Sequence, residues 1–273
     1  MHEEISLFWF SKLRLQNIDL KNFGDDLNPI LINKITGKKV IWKNPASQNF
    51  ISRQFNTINF AIGSILHFAK NNCNIWGSGL IDSKSNFPLK AKYYALRGPN
   101  TYRILKQRGC KVNNIYGDPA LLLPRYFPIN TSKKYSLGII PHYTEVENFM
   151  KKIEKETNEI NVIDLRKDPL DIINDIQSCE KILSSSLHGI IVAMAYGIPV
   201  LRIKISDEIY GDGIKYDDFY NSVNIQNHNI YNININNLNL RHLMELFKYN
   251  NNEMYLRVDL EKMQNNLLSV IPF

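Results

Sequence analysis

The chain has 273 residues, 44% hydrophobic and 22% charged, a balance that supports a buried core and excludes a fibrous or wholly disordered protein. Its formal net charge of +7 favours anionic partners such as phosphorylated small molecules or the acidic face of a membrane. Basic residues are spread along the chain without a nucleic-acid motif, which argues against nucleic acid, and no apolar stretch approaches the ~20 residues needed to cross a bilayer.

The N-terminus lacks the basic region and small-residue cleavage site of a secretory signal, so a cytoplasmic location is expected. Cys73, Cys110 and Cys179 are widely separated and form no C-x-x-C pair. They read as buried small hydrophobes rather than as a disulfide framework or a zinc site.

Residues 5–10 predict a strand. Asn22-Phe23-Gly24-Asp25-Asp26 then leads into a helix whose stripe of Leu27, Ile30, Leu31 and Ile35 ends at Gly37. Asp25 or Asp26 is expected to be its N-cap, leaving the other to face a cleft as a base or a sugar-hydroxyl acceptor. Strands follow at 39–42, 58–62, 74–76 and 93–96. The turn Gly77-Ser78-Gly79 lets a ligand approach the backbone but lacks the spacing of a dinucleotide fingerprint, and it also reads as a plain tight turn. Arg97 ends a strand just before a helix from Pro99 to about Arg108, where a fixed guanidinium can grip phosphate or carboxylate with two parallel bonds. Gly117-Asp118-Pro119 reads as a turn in which Asp118 bonds its own backbone.

Two prolines and a polar run at 124–134 mark a boundary, dividing the chain into residues 1–128 and 129–273. Beyond it, strands at 135–140, 161–165, 181–184 and 198–203 alternate with helices at 145–155, 169–179 and 187–196. This order predicts a parallel sheet with helices on both faces, and the first half also reads as α/β. Two amphipathic helices, 238–249 and 253–270, are expected to close the structure.

Ligands of open parallel sheets bind beyond the carboxyl ends of the strands. Ser184-Ser185-Ser186-Leu187-His188-Gly189 falls at such an end, between an apolar strand and an apolar helix, where free N–H groups and the helix dipole suit a phosphate or carboxylate. Equally, the serines could only cap the helix and His188 satisfy a core carbonyl. His142 follows Pro141 at the end of another strand and points to the same edge, although a lone histidine there is more often structural. The chain has no H-x-x-x-H, P-loop or nucleophile elbow.

Taken together these segments resemble the polysaccharide pyruvyl transferase family. The matching motifs run in order: N-F-G-D-D-L-N-P at 22–29, G-S-I-L at 63–66, I-W-G-S-G at 75–79, L-R-G-P at 96–99, G-D-P-A-L-L-L-P at 117–124, G-I-I-P-H-Y at 138–143, S-S-S-L-H-G at 184–189, A-Y-G-I-P at 195–199 and K-Y-D-D-F-Y at 215–220. The resemblance implies two Rossmann-like domains in the arrangement of the GT-B glycosyltransferases, the first on the acceptor side and the second on the donor side. It also implies transfer of pyruvate from phosphoenolpyruvate to a sugar of a bacterial exopolysaccharide, capsule or lipopolysaccharide, with neither cofactor nor metal. Many members carry S-x-R-L-H-G, with an arginine expected to bind the donor; here Ser186 takes its place.

On this reading His188 is the acid/base and Asp25 the acceptor-side base. Donor and acceptor contacts fall to Arg97, His142, Ser185, Ser186, Leu187, Gly189, Asn22, Gly24, Ser78 and Lys215. The saccharide acceptor could be lipid-linked, with peripheral membrane association, and oligomeric state is open. Two rivals keep the fold. A glycosyltransferase would use a nucleotide sugar and could recruit Glu208 or Asp212, and a scaffold of polysaccharide assembly would have lost activity.

Overall fold

The structure is a computed structural model that describes residues 4–49, 56–153, 159–206, 209–235, 238–250 and 252–273. Its first sheet contains β1 (Glu4–Phe8), β2 (Lys39–Trp42), β3 (Ile58–Phe60), β4 (Cys73–Trp76) and β5 (Lys92–Ala95), all parallel, in the order β2-β1-β3-β4-β5. The second contains β6 (Leu137–Ile140), β7 (Ile160–Val162), β8 (Ile182–Ser184), β9 (Val200–Lys204) and β10 (Tyr231–Asn232), also parallel, in the order β7-β6-β8-β9-β10. The expected α/β class with two Rossmann-like halves is what the protein has.

Counted from its own first strand, each sheet reads 2-1-3-4-5. In that order the chain leaves the first strand toward one edge and returns to its other side, so a crevice opens beyond β1/β3 and beyond β6/β8. Central strands such as β4 and β6 are buried at every residue, as strands covered on both faces must be, and apart from Asn74 they read as apolar runs.

The first long helix, Phe23–Thr36, corrects one expectation. Its N-cap is Asn22, and Asp25 and Asp26 both lie inside its first turn. Pro29 sits within the helix and has no N–H to give the Asp25 carbonyl, and the Asn28 side-chain amide donates to that carbonyl instead at 3.1 Å. The same amide donates to the Ile62 carbonyl at 3.0 Å, and Asn28 Oδ1 accepts from the Ile62 N–H at 2.9 Å, tying the helix to the end of β3.

The halves are joined by packing. One core cluster contains Leu7, Phe23 and Trp76 together with Ile140, Ile190 and Phe219. The helix Leu187–Ala195 is buried on nearly all sides and rests on the short 3-10 helix Pro119–Leu122 of the first half. The helices Pro99–Gln107 and Ile214–Ser222 pack together across the same boundary.

Two other expectations are revised. The tail holds the helices Leu240–Glu245 and Leu260–Ser269, with 252–259 irregular rather than helical. Tyr231–Asn232, for which the sequence suggested no strand, form β10 at the sheet edge. The helix expected at 145–155 is Val146–Ile153 in the structure, and 154–155 lie outside the described residues. All three cysteines are buried and none is in a disulfide among the described residues, and no helix among the described residues is long and apolar enough to cross a membrane.

Candidate active site

Three helices begin at one place. Asp25 lies in the first turn of Phe23–Thr36, His188 in the first turn of Leu187–Ala195 and Lys215 in the first turn of Ile214–Ser222. The Phe23 N–H donates to the Leu165 carbonyl at 3.0 Å, which fixes the first helix start against the second sheet. Helix starts carry unpaired N–H groups and positive dipole ends, so their convergence favours a negatively charged ligand.

His188 is held from two sides. Its Nε2 lies 3.6 Å from Asp118 Oδ2, and the imidazole Nδ1 edge faces Gly24 so closely that any Cβ there would overlap the ring. Asp118 is fully buried. Its Oδ1 accepts from the Ala120 N–H at 3.0 Å, the turn the sequence predicts, while Oδ2 has no hydrogen-bond partner other than this approach to His188. The arrangement is a carboxylate orienting an imidazole. Gly24→Ala is expected to displace the ring from its present position beside Asp118 at a cost of about 1–3 kcal/mol. Lowered melting with a moved His188 imidazole NMR signal would bear this out, and an unmoved signal would refute it.

The serine turn is ordered by its own bonds. Ser184 Oγ donates to the Ser186 carbonyl at 2.9 Å and accepts from the Ser186 N–H at 3.0 Å, and a Cβ at Gly189 would come within 2.5 Å of that hydroxyl. Ser185 Oγ donates to Glu145 Oε2 at 2.6 Å and accepts from the His142 N–H at 2.8 Å. Ser186 is the N-cap of Leu187–Ala195, but its side chain makes no capping bond, and both Ser186 and Leu187 are buried. Glu145, which sequence reasoning missed, gathers Ser185, Ser206 and the His142 N–H on one carboxylate. Its only local signal is an acid placed one residue before a helix.

Burial pushes the Asp25 carboxyl up to about 8, Asn22 and the Lys215 charge pulling it partly back and Asp26 adding to the rise. The Asn22 amide donates to Asp25 Oδ2 at 2.6 Å. Burial, with the nearby Arg97 and Arg202 charges, brings Lys215 down to about 8, against the opposing pull of Asp25. His142 is held down to about 4 by burial and by the Lys215 and Lys12 charges, so at neutral pH it adds no positive charge to the cleft. Its Nδ1 meets Thr144 Oγ1 at 2.9 Å. Beside Asp25 a cavity of about 260 Å³ is lined by Trp9, Lys12, Asn22 and Tyr143, with the Lys12 ammonium 5.4 Å from the Tyr143 ring.

Arg97 and Ser78 lie deeper, and both are fully enclosed. Ser78 Oγ donates to the Ala61 carbonyl at 2.6 Å. Arg97 donates to Ser64 Oγ at 2.6 Å and to the Leu80 carbonyl at 2.8 Å, and its Nε lies 3.3 Å from Asp218 Oδ2. As the protein stands, these two residues brace the cleft from behind while the other sequence-predicted site residues gather around it. Of the residues set aside for a nucleotide sugar, Asp212 bonds Ser83 through its N–H and hydroxyl, and Glu208 lies outside the described residues.

The family model for polysaccharide pyruvyl transferase matches residues 18–207, a span that includes Asp25, Arg97, Asp118, His142, the Ser184–Ser186 turn and His188 but not Lys215. The chain belongs to the polysaccharide pyruvyl transferase family. An uncharacterized protein of Acanthamoeba polyphaga mimivirus is 30% identical over 212 residues, covering 75% of this chain and 72% of that one. A crystal structure of a functionally uncharacterized Klebsiella pneumoniae protein is similar with a TM-score of 0.49 and 13% identity, over 85% of this chain and 93% of that one.

Proposed function

We propose that the protein transfers pyruvate from phosphoenolpyruvate to two hydroxyls of a saccharide, a surface polysaccharide or its lipid-linked precursor, forming a pyruvate ketal and releasing phosphate. The observation that carries this reading is a buried carboxyl, Asp25, at the same helix convergence as the Asp118-oriented His188 and the serine turn. Family membership supports pyruvyl transfer in general.

Enol-ether chemistry at the donor needs a proton given to C3, so that C2 becomes electrophilic. Asp25 is suited to give it: burial keeps its carboxyl protonated at neutral pH. One sugar hydroxyl adds to C2 and loses its proton to the His188 imidazole. Phosphate leaves with the C2–O bond electrons, and the neighbouring hydroxyl closes the ketal. Of the two hydroxyl protons lost, one replaces that given to C3 and the other leaves with phosphate. Asp25 thus enters as an acid, and it becomes the base envisaged from sequence only after that first transfer.

In this reading the two halves work as in a GT-B arrangement, residues 1–128 holding the acceptor and 129–273 the donor. The cavity beside Asp25, with Trp9 and Tyr143 in its wall, is the acceptor side. The reaction takes place in the cytoplasm, at the inner membrane face when the acceptor is lipid-linked.

The test is phosphate release from phosphoenolpyruvate with a panel of saccharide acceptors, with mass spectrometry of the product. Acceptor-dependent release and a ketal are expected, with His188→Ala slowing the rate by about 10²–10⁴-fold. No release with any acceptor, with thermal stabilisation by a nucleotide sugar and none by phosphoenolpyruvate, would overturn the reading.

A further inference from the structure

Arg202 lies on β9 in register with Ser184 of β8, so the strand pairing brings it beside the serine turn. Its guanidinium carbon stands 3.6 Å from the centre of the Tyr216 ring, and Nη1 is 3.2 Å from His228 Nε2. His228 is itself stacked on Tyr220, with ring centres 4.0 Å apart. The Lys215 ammonium lies 5.3 Å from the same Tyr216 ring, and the Tyr216 hydroxyl donates to the Ser185 carbonyl at 2.7 Å. One phenol therefore carries two cations and is bolted to the middle serine of the turn. A cavity of about 400 Å³ opens over them.

Neither cation has a carboxylate within ion-pair distance among the described residues. The acids nearest them among the described residues have closer partners: Asp217 lies 3.3 Å from the same His228 Nε2 that meets Arg202, Asp25 accepts from Asn22, Asp218 faces Arg97, Asp212 accepts from Ser83, and Glu145 accepts from Ser185 and Ser206. Lys215 is 9% exposed, and among the described residues its ammonium donates to the Tyr210 carbonyl alone, at 3.3 Å. A buried Lys215 beside a half-buried Arg202, two like charges with no carboxylate at ion-pair distance among the described residues, is costly unless an anion completes the pair.

We propose that Arg202 and Lys215 together hold a phosphate group against the Ser184–Ser186 turn, Arg202 by its planar fork and Lys215 as a point charge. The pairing of Arg202 with the turn is independent of the reaction; naming phosphoenolpyruvate as the bearer of the phosphate rests on the pyruvyl-transfer reading. The diphosphate of a lipid-linked acceptor has the same chemistry, and the test separates the two.

The full chain, as wild type, Arg202→Gln and Lys215→Met, is titrated calorimetrically with inorganic phosphate, phosphoenolpyruvate and a prenyl-diphosphate saccharide. Arg202→Gln keeps an alkyl stem on Tyr216, and ligand-free melting checks that each variant is folded. The wild type is expected to bind phosphate and phosphoenolpyruvate, each variant more weakly by about tenfold or more. Arg202→Lys, which keeps a charge without the fork, is expected to fall between wild type and Arg202→Gln. Phosphate and phosphoenolpyruvate binding equally well to folded variants and wild type would overturn the proposal while leaving the pyruvyl-transfer reading intact. Arg202-dependent binding of phosphate or the diphosphate without binding of phosphoenolpyruvate would uphold the phosphate site and overturn the donor reading. A wild type that binds none of the three would overturn both.

Discussion

Asp218→Ala is expected to lower folding stability by about 3–5 kcal/mol, because it leaves the Arg97 guanidinium buried without its counter-charge. Both side chains are fully enclosed. Asp218 also accepts from the Thr101 N–H at 2.9 Å and hydroxyl at 2.7 Å, so the substitution orphans the start of the helix Pro99–Gln107 as well. Space is as tight as the charge balance, since a Cβ at Gly98 would overlap the Asp218 carbonyl. Urea unfolding followed by tryptophan fluorescence reads the effect. A loss below about 1 kcal/mol, the range of an exposed pair, would show that Arg97 does not depend on Asp218. Arg97 belongs to the first half and Asp218 to the second, so the pair acts as a positioning device: it holds the Lys215 helix against the first sheet.

Asp25→Asn is expected to cut the catalytic rate by about 10²–10⁴-fold while raising stability in alkaline solution. The folded carboxyl titrates at about 8, against an ordinary value of 3.8. Between those pH values the folded state holds a proton that the unfolded state has released. The contribution of Asp25 is thus fully present below pH 4, falls as pH rises, and is gone above about pH 8, at about 1.4 kcal/mol per pH unit across that window. Asparagine has no such slope. The stability gap between variant and wild type should therefore widen from pH 5 to pH 9, and a gap independent of pH would mean that Asp25 is ionised in the fold. Wild-type activity should decline above pH 8 as Asp25 loses the proton it donates, the Lys215 ammonium titrating in the same range.

Much of the architecture was legible because the buried parallel strands are mostly apolar runs and their helices are punctuated by Pro and Gly. The 184–189 turn could be placed at a strand end for that reason. What could not be read were partnerships between distant residues. Asp118 is a local turn residue by sequence, and only the fold brings its second oxygen to His188. Asp218 lies in a quoted motif, yet nothing nearby in sequence indicates that it neutralises Arg97. Arg202 appears as one charge interrupting the apolar run of β9, and its cation shelf needs Tyr216 and His228 brought in from elsewhere. Asp25 and Asp26 were both plausible caps, and Asn22 took that place, leaving their side chains inside the first turn.

The closing helix Leu260–Ser269 reaches back to the beginning of the fold. The indole N–H of Trp76, at the end of β4, donates to the Leu267 carbonyl at 2.8 Å, Phe273 packs edge-on against the same indole, and Gln264 donates to the Leu121 carbonyl at 2.7 Å. During synthesis the first sheet emerges from the ribosome well before the residues that cover Trp76. The N-terminal half must therefore wait, with an apolar face uncovered, for almost two hundred further residues to be translated. Docking of this helix can only follow translation of Leu267, and chaperone dependence should track the time between making Trp76 and making Leu267.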